Sequence, residues 1–211
     1  MHKNCLPPDY TTRQTLTPES KTNYGSALRD EFCLKGKLAT AYELKYYPLV
    51  GGDIDDTGVS GLKFRCSDED KSEISYIGDY GPYYQGSKLH VWGCPNNWYL
   101  NAIKVNSEPD QGGSTIFGFK NDDMALTNVK VWCKNPRDGS ESMNEGPADM
   151  PDDATWTRKE TCQAYYGIVG LKLQIEDYLW GDLDDNTALN KITVYCESII
   201  NYMNATIDDR K

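Results

Sequence analysis

The chain has 211 residues, enough for one large domain or two small ones, and its acids outnumber its bases to a formal net charge of −10. That balance, with no Lys/Arg cluster, argues against nucleic-acid binding and against adhesion to an anionic membrane, and it is compatible with a cationic secreted protein as partner. No apolar run is long enough for a transmembrane helix, so no membrane insertion is expected.

The first elements are polar. Residues 1–22 read as an N-terminal tail rich in Pro and Thr that carries an odd cysteine, Cys5. Met1 to Tyr10 lacks the apolar core of a signal peptide, so a secreted protein would be seen here in mature form. From residue 23 to 200 the sequence reads as a single domain of three repeats, at about 23–70, 76–137 and 154–200, followed by a polar tail over 201–211. Each repeat has two landmarks. Cys33, Cys94 and Cys162 each precede an apolar pair at nine and eleven residues further on, namely Tyr42 with Leu44, Ile103 with Val105, and Leu171 with Leu173. A charged residue (Glu43, Lys104, Lys172) sits inside each pair, and a small one (Ala41, Ala102, Gly170) comes before it.

The second landmark is an ungapped segment that opens on Asp followed by Asp or Asn and ends on a cysteine: Asp55 to Cys66, Asp122 to Cys133 and Asp185 to Cys196. It ends in strict alternation, as in Leu62, Phe64 and Cys66, then Val129, Val131 and Cys133, then Ile192, Val194 and Cys196. A period of two predicts half-buried strands with one wet face. Turn formers separate the strands, at Gly51-Gly52-Asp53, 109–113 and Gly181-Asp182, and the middle repeat carries five extra residues in its loop. One such repeat cannot bury its apolar face alone. Three sheets packed around a common axis can, so the expected architecture is an all-β, three-sided prism.

Seven cysteines favour an oxidising compartment. Six follow the repeat, and of the fifteen pairings open to six cysteines its symmetry selects Cys33–Cys66, Cys94–Cys133 and Cys162–Cys196. No CxxC occurs and the histidines are His2 and His90 alone, so neither a structural metal nor a cofactor is expected. The triplet Asn204-Ala205-Thr206 makes Asn204 a candidate glycosylation site.

The blocks Asp56-Thr57-Gly58-Val59 and Asn186-Thr187-Ala188-Leu189-Asn190, each followed by a strand and a cysteine, resemble the D-D-T-A-L-N signature that occurs three times in the vitelline membrane outer layer protein 1 family. The Trp-rich element before each first cysteine is degenerate here: Asn23-Tyr24-Gly25, the stretch from Gly78 to Tyr83, and Thr155-Trp156-Thr157. The resemblance implies a β-prism I fold of three antiparallel sheets with pseudo-threefold symmetry. It also implies secretion and a structural or interaction role in an extracellular coat or mucosal fluid. A carbohydrate-binding, lectin-like module is the alternative, with extracellular glycans as partners, and a transferase-like action on chito-oligosaccharides is a weaker one. The family supplies no catalytic residues to carry over, and the expectation leans away from an enzyme.

Two residue sets are candidates for function. The first is three acidic pairs: Asp55 and Asp56, Asp122 and Asp123, and Asp184 and Asp185. They would form an anionic rim if the equivalent loops gather at one end. Such a rim suits calcium, a cationic partner or paired-carboxylate chemistry. The competing and favoured reading is that these side chains cap their own turns, because a catalytic pair needs unequal environments rather than three similar ones. The second set is aromatic: Trp132 and Tyr195 hold equivalent outward positions, with Arg65 in that place in the first repeat. They are candidates for stacking on sugar rings, against the plainer reading that aromatics favour strands. His90 lies in a probable strand with no nucleophile motif in the chain to serve.

Overall fold

A computed structural model of the chain describes residues 12–48, 58–68, 73–81, 86–108, 125–150, 155–176 and 188–200. In chain order the strands are β1 (Gln14–Leu16), β2 (Ser26–Ala27), β3 (Glu31–Phe32), β4 (Leu38–Tyr46), β5 (Val59–Ser67), β6 (Ile74–Asp79) and β7 (Lys88–Gly93). They continue with β8 (Tyr99–Ser107), β9 (Leu126–Lys134), β10 (Glu141–Glu145), β11 (Thr155–Trp156), β12 (Glu160–Thr161), β13 (Tyr166–Ile175) and β14 (Leu189–Ser198). They form three antiparallel sheets, each built on one long pair: β4 with β5, β8 with β9, and β13 with β14. These are the segments whose sequence alternates, and the apolar phase of that alternation is what the sheets turn inward. Tyr42, Leu44, Leu62, Phe64, Ile103, Val129, Val131, Leu171, Ile192 and Val194 share one buried cluster. Each such side chain contributes about 1.5–3 kcal/mol by leaving water. A smaller cluster of Leu38, Tyr99, Val169 and Ile199 lies where β4, β8 and β13 begin.

The sheets do not coincide with the sequence repeats. β7, the strand leading into the second repeat, completes the first sheet by pairing with β4. β11 and β12 lead into the third repeat and complete the second sheet by pairing with β8. The third sheet takes β2 and β3 from the start of the chain. The opposite edges are β6 on β5, β10 on β9 and, closing the ring, β1 on β14. Residues 14–16 thus form a strand inside the stretch that composition reads as a polar tail, and Leu16 is buried in the core.

A bulge recurs at the same place in each sheet. The register of β4 on β5 slips at Thr40, that of β8 on β9 at Asn101, and that of β13 on β14 at Val169. At each slip the bulged residue's carbonyl accepts the amide of the half-cystine that opens the following repeat: Cys94 N to Thr40 O at 2.8 Å, Cys162 N to Asn101 O at 2.9 Å, and Cys33 N to Val169 O at 2.8 Å. Each of these cysteines is therefore fixed to the edge of one sheet while its bridge partner lies in the next. Cys33–Cys66 joins the third sheet to the first, Cys94–Cys133 the first to the second, and Cys162–Cys196 the second to the third. Three bridges, each local to one repeat in sequence, form a closed ring of staples around the prism.

A second bulge explains part of the repeat signature. Ser60, Thr127 and Asn190 are skipped in the pairing near the start of β5, β9 and β14, and all three are completely buried. Just before them Gly58 (φ 63°) and Ala188 (φ 51°) take left-handed backbone, the region that favours glycine, and Ala188 and its counterpart Ala125 are completely buried, which leaves room only for a small side chain. The acidic residues of the expected rim, Asp55, Asp56, Asp122, Asp123, Asp184 and Asp185, all lie outside the described residues. So do Asn204 and Cys5.

Candidate functional site: the outer sheet faces

The inner faces are alike and the outer faces are not. Arg65, Trp132 and Tyr195 stand opposite Ala41, Ala102 and Gly170 across the three long pairs, and all three are half-buried. At Gly170 the small residue is required because the Phe32 and Tyr195 rings lie over it. A Cβ on Gly170 would come within 2.5 Å of the Phe32 ring.

Tyr195 is held in a network on the third sheet. Its ring lies 5.1 Å from Phe32, centroid to centroid, and its hydroxyl donates to Asp30 Oδ1 at 2.8 Å. Lys172 Nζ reaches the same carboxylate at 3.2 Å, and the Arg13 guanidinium sits 3.9 Å over the Phe32 ring while pairing with Glu197. The Tyr195 hydroxyl first, and Lys172 next, hold the Asp30 carboxyl below the usual carboxylate range. Both the face and the hydroxyl of Tyr195 are thus engaged within the protein.

The first sheet presents Arg65 opposite Tyr76, with Leu89 and Val91 exposed on its β7 edge. Lys63 Nζ lies 3.8 Å over the Tyr80 ring, and the Tyr80 hydroxyl donates to Glu43. His90 belongs to the seam between the first and second sheets. Its Nε2 is 3.3 Å from Asn144 Oδ1, the atom that also accepts from the buried Tyr42 hydroxyl at 2.6 Å, and its ring is 5.7 Å from that of Tyr42.

The second sheet differs most. Trp132 faces the exposed Met143 across β9 and β10, and Lys159 Nζ lies 4.6 Å from its ring centre while pairing with Glu141 at 2.6 Å. Trp156, on β11, stands opposite Asn106 of β8 and so joins the same outer face. Lys130 and Lys104 approach its ring at 4.0 and 5.5 Å. Lys130 also pairs with Glu145 at 2.9 Å. Sequence reasoning does not single out Trp156 as a site residue, because the chain assigns it to the third repeat while the pairing assigns it to the second sheet. The signal that would have found it is the edge-strand exchange itself. Among the described residues no group of three or more His, Cys, Asp or Glu is arranged to hold a metal ion, and no helix is long and apolar enough to cross a membrane.

Three sheets packed inner face to inner face around one core define a β-prism, and solved structures share this form. Calystegia sepium agglutinin superposes with a TM-score of 0.53 at 13% identity, covering 89% of this chain and 97% of its own. Artocarpin in complex with mannotriose gives 0.53 at 12%, covering 89% and 99%. The mannose-binding jacalin-related lectin from Ananas comosus gives 0.51 at 12%, covering 88% and 98%. At these identities the likeness establishes the fold, that of the jacalin-like lectins. In sequence, residues 14–199 match the vitelline membrane outer layer protein I family. The mouse (Mus musculus) vitelline membrane outer layer protein 1 homolog is 28% identical over 167 residues, which is 79% of this chain and 74% of the relative. The chain belongs to the vitelline membrane outer layer protein I family.

Proposed function

We propose that this protein is secreted and serves as a structural or interaction component of an extracellular coat or mucosal fluid. The observation that carries this reading is the family match over residues 14–199, and the ring of three disulfides accords with it. Disulfides persist outside the reducing cytosol, and a prism stapled at every seam suits a protein that must endure where it is not replaced. Recovery of the protein from its native secretion under non-reducing conditions, together with a coat component, is the expected result. A purely intracellular distribution would end the reading.

A second reading, binding of extracellular glycans, is favoured by the outer face of the second sheet, where Trp132 and Trp156 stand on one surface. Its structural neighbours include artocarpin in complex with mannotriose and Calsepa lectin in complex with a biantennary N-glycan. Glycan-array binding that falls when Trp132→Ala is introduced would support it, and an array silent for the unmodified protein would reject it. A cationic secreted protein, the other partner suggested by the net charge, would be captured in the same non-reducing pull-down.

A further inference from the structure

The three sheets can be compared at equivalent positions, and one row of the second sheet breaks a physical rule. The outward residues paired midway along the long hairpins are Glu43 with Lys63 in the first sheet and Lys172 with Thr193 in the third. In the second sheet the pair is Lys104 with Lys130. Directly opposed like charges destabilise an antiparallel pair, and here they occur in a chain of net charge −10 that has abundant acids to place there. Glu145 neutralises Lys130, but Lys104 has no carboxylate partner among the described residues and meets the Trp156 ring instead. Like charges set opposite one another, offset only by one carboxylate and one indole, mark a place where another demand acts on the sequence.

The surroundings indicate what that demand is. The lysine row lies between two tryptophans: two residues along β8 in one direction is Ala102, opposite Trp132, and two in the other is Asn106, opposite Trp156. At a strand rise of about 3.3 Å per residue the backbone positions of the two tryptophans, on opposite flanks of β8, are offset by about 13 Å along the strand, with the lysine row between them. Lys159 adds a third ammonium beside Trp132. Asn106, paired with Trp156 across β8 and β11, is completely buried, and neither its amide oxygen nor its nitrogen is hydrogen-bonded. Two indoles with three lysines around them, two of the lysines held by Glu145 and Glu141 and the third by no described carboxylate, match a chain of sugar rings bearing anionic groups.

We infer that the outer face of the second sheet, formed by Trp132, Trp156, Lys104, Lys130 and Lys159, binds an anionic oligosaccharide, sulfated or carboxylated. This rests on the glycan-binding reading and narrows it to a ligand class and a surface. The tryptophans take the sugar faces, and the lysines exchange their present contacts with indole rings and glutamates for the ligand's anions.

The test is calorimetric titration of the full chain with three hexasaccharides: a sulfated one derived from heparin, a carboxylate-only one from hyaluronan, and neutral N-acetylchitohexaose. Expected is saturable binding of at least one anionic hexasaccharide, weakened by added salt. It should weaken at least tenfold in the double variant Lys104→Gln with Lys130→Gln and in Lys104→Glu, and be unchanged in Lys63→Gln on the first sheet. Lys104→Gln alone breaks no ion pair among the described residues and relieves the opposed charges, so it should weaken binding without lowering the thermal midpoint, which separates lost binding from lost fold. Equal affinity in the double variant overturns the inference. Binding of the neutral hexasaccharide alone also overturns it, while leaving the glycan-binding reading in place. No binding of either anionic hexasaccharide overturns it as well, and the glycan array decides the wider reading.

Discussion

Tyr195 and Asp30 show how a side chain that looks available in sequence is committed in the fold. The Tyr195 hydroxyl is the leading reason that Asp30 stays ionised below the usual carboxylate range. Tyr195→Phe should therefore raise the Asp30 pKa towards its ordinary value while Lys172 still restrains it, as read by carboxyl carbon NMR titration. An unchanged titration would mean that the hydroxyl bond is not formed in solution. Four other tyrosines act at the alkaline end. Burial pushes Tyr46, Tyr80 and Tyr99 up to about 12, Tyr80 with added help from its bond to Glu43, and burial also raises Tyr42. In the unfolded chain these phenols ionise near 10. Above that value the unfolded state loses protons that the folded state retains, so stability should fall as pH rises from about 10 towards about 12. Chemical denaturation midpoints across that range check the sign, and a flat profile would contradict it.

Among the strands, close approach is sharpest at Gly61, where a Cβ would sit 2.2 Å from the Tyr80 backbone at the end of β6. Backbone cannot swing aside as a flexible side chain does, so Gly61→Ala should cost about 1–3 kcal/mol in a urea melt. The staples give a second prediction. Replacing Cys94 and Cys133 together by Ser removes the link between the first and second sheets and should cost about 2–5 kcal/mol. Amide exchange should accelerate first along β7, which carries Cys94 at its end, rather than uniformly. The long strands were legible because the alternation from Leu62 to Cys66, repeated at equivalent places in the other two repeats, leaves one choice of inner face. The short ones were not. β2, β3, β11 and β12 have two residues each, which is too few to carry a period, and their pairing crosses the repeat boundary. For the same reason β1 reads as tail: three residues, of which only Leu16 is apolar and buried. The candidate face divides in the same way. Trp132 was visible through its equivalence to Arg65 and Tyr195, because all three lie one residue before a repeat cysteine. Trp156 was hidden by the exchange of edge strands.

In the whole molecule, symmetry and function separate. What the three repeats share has a structural cause: the buried alternation, the small residue opposite each large outward one, the buried polar residue at the second bulge, and the cysteine that crosses to the next sheet. What they do not share is on the outer faces, where aliphatic, indole-rich and tightly paired surfaces alternate around one prism. A protein so built offers three different contact surfaces on a covalently closed frame, a form suited to joining components of an extracellular layer. The most direct test of this account is peptide mapping, without reduction, of the protein taken from its native secretion. The account predicts linked peptides Cys33–Cys66, Cys94–Cys133 and Cys162–Cys196 in extracellular material. Free thiols at these six positions, or any other pairing among them, would contradict it.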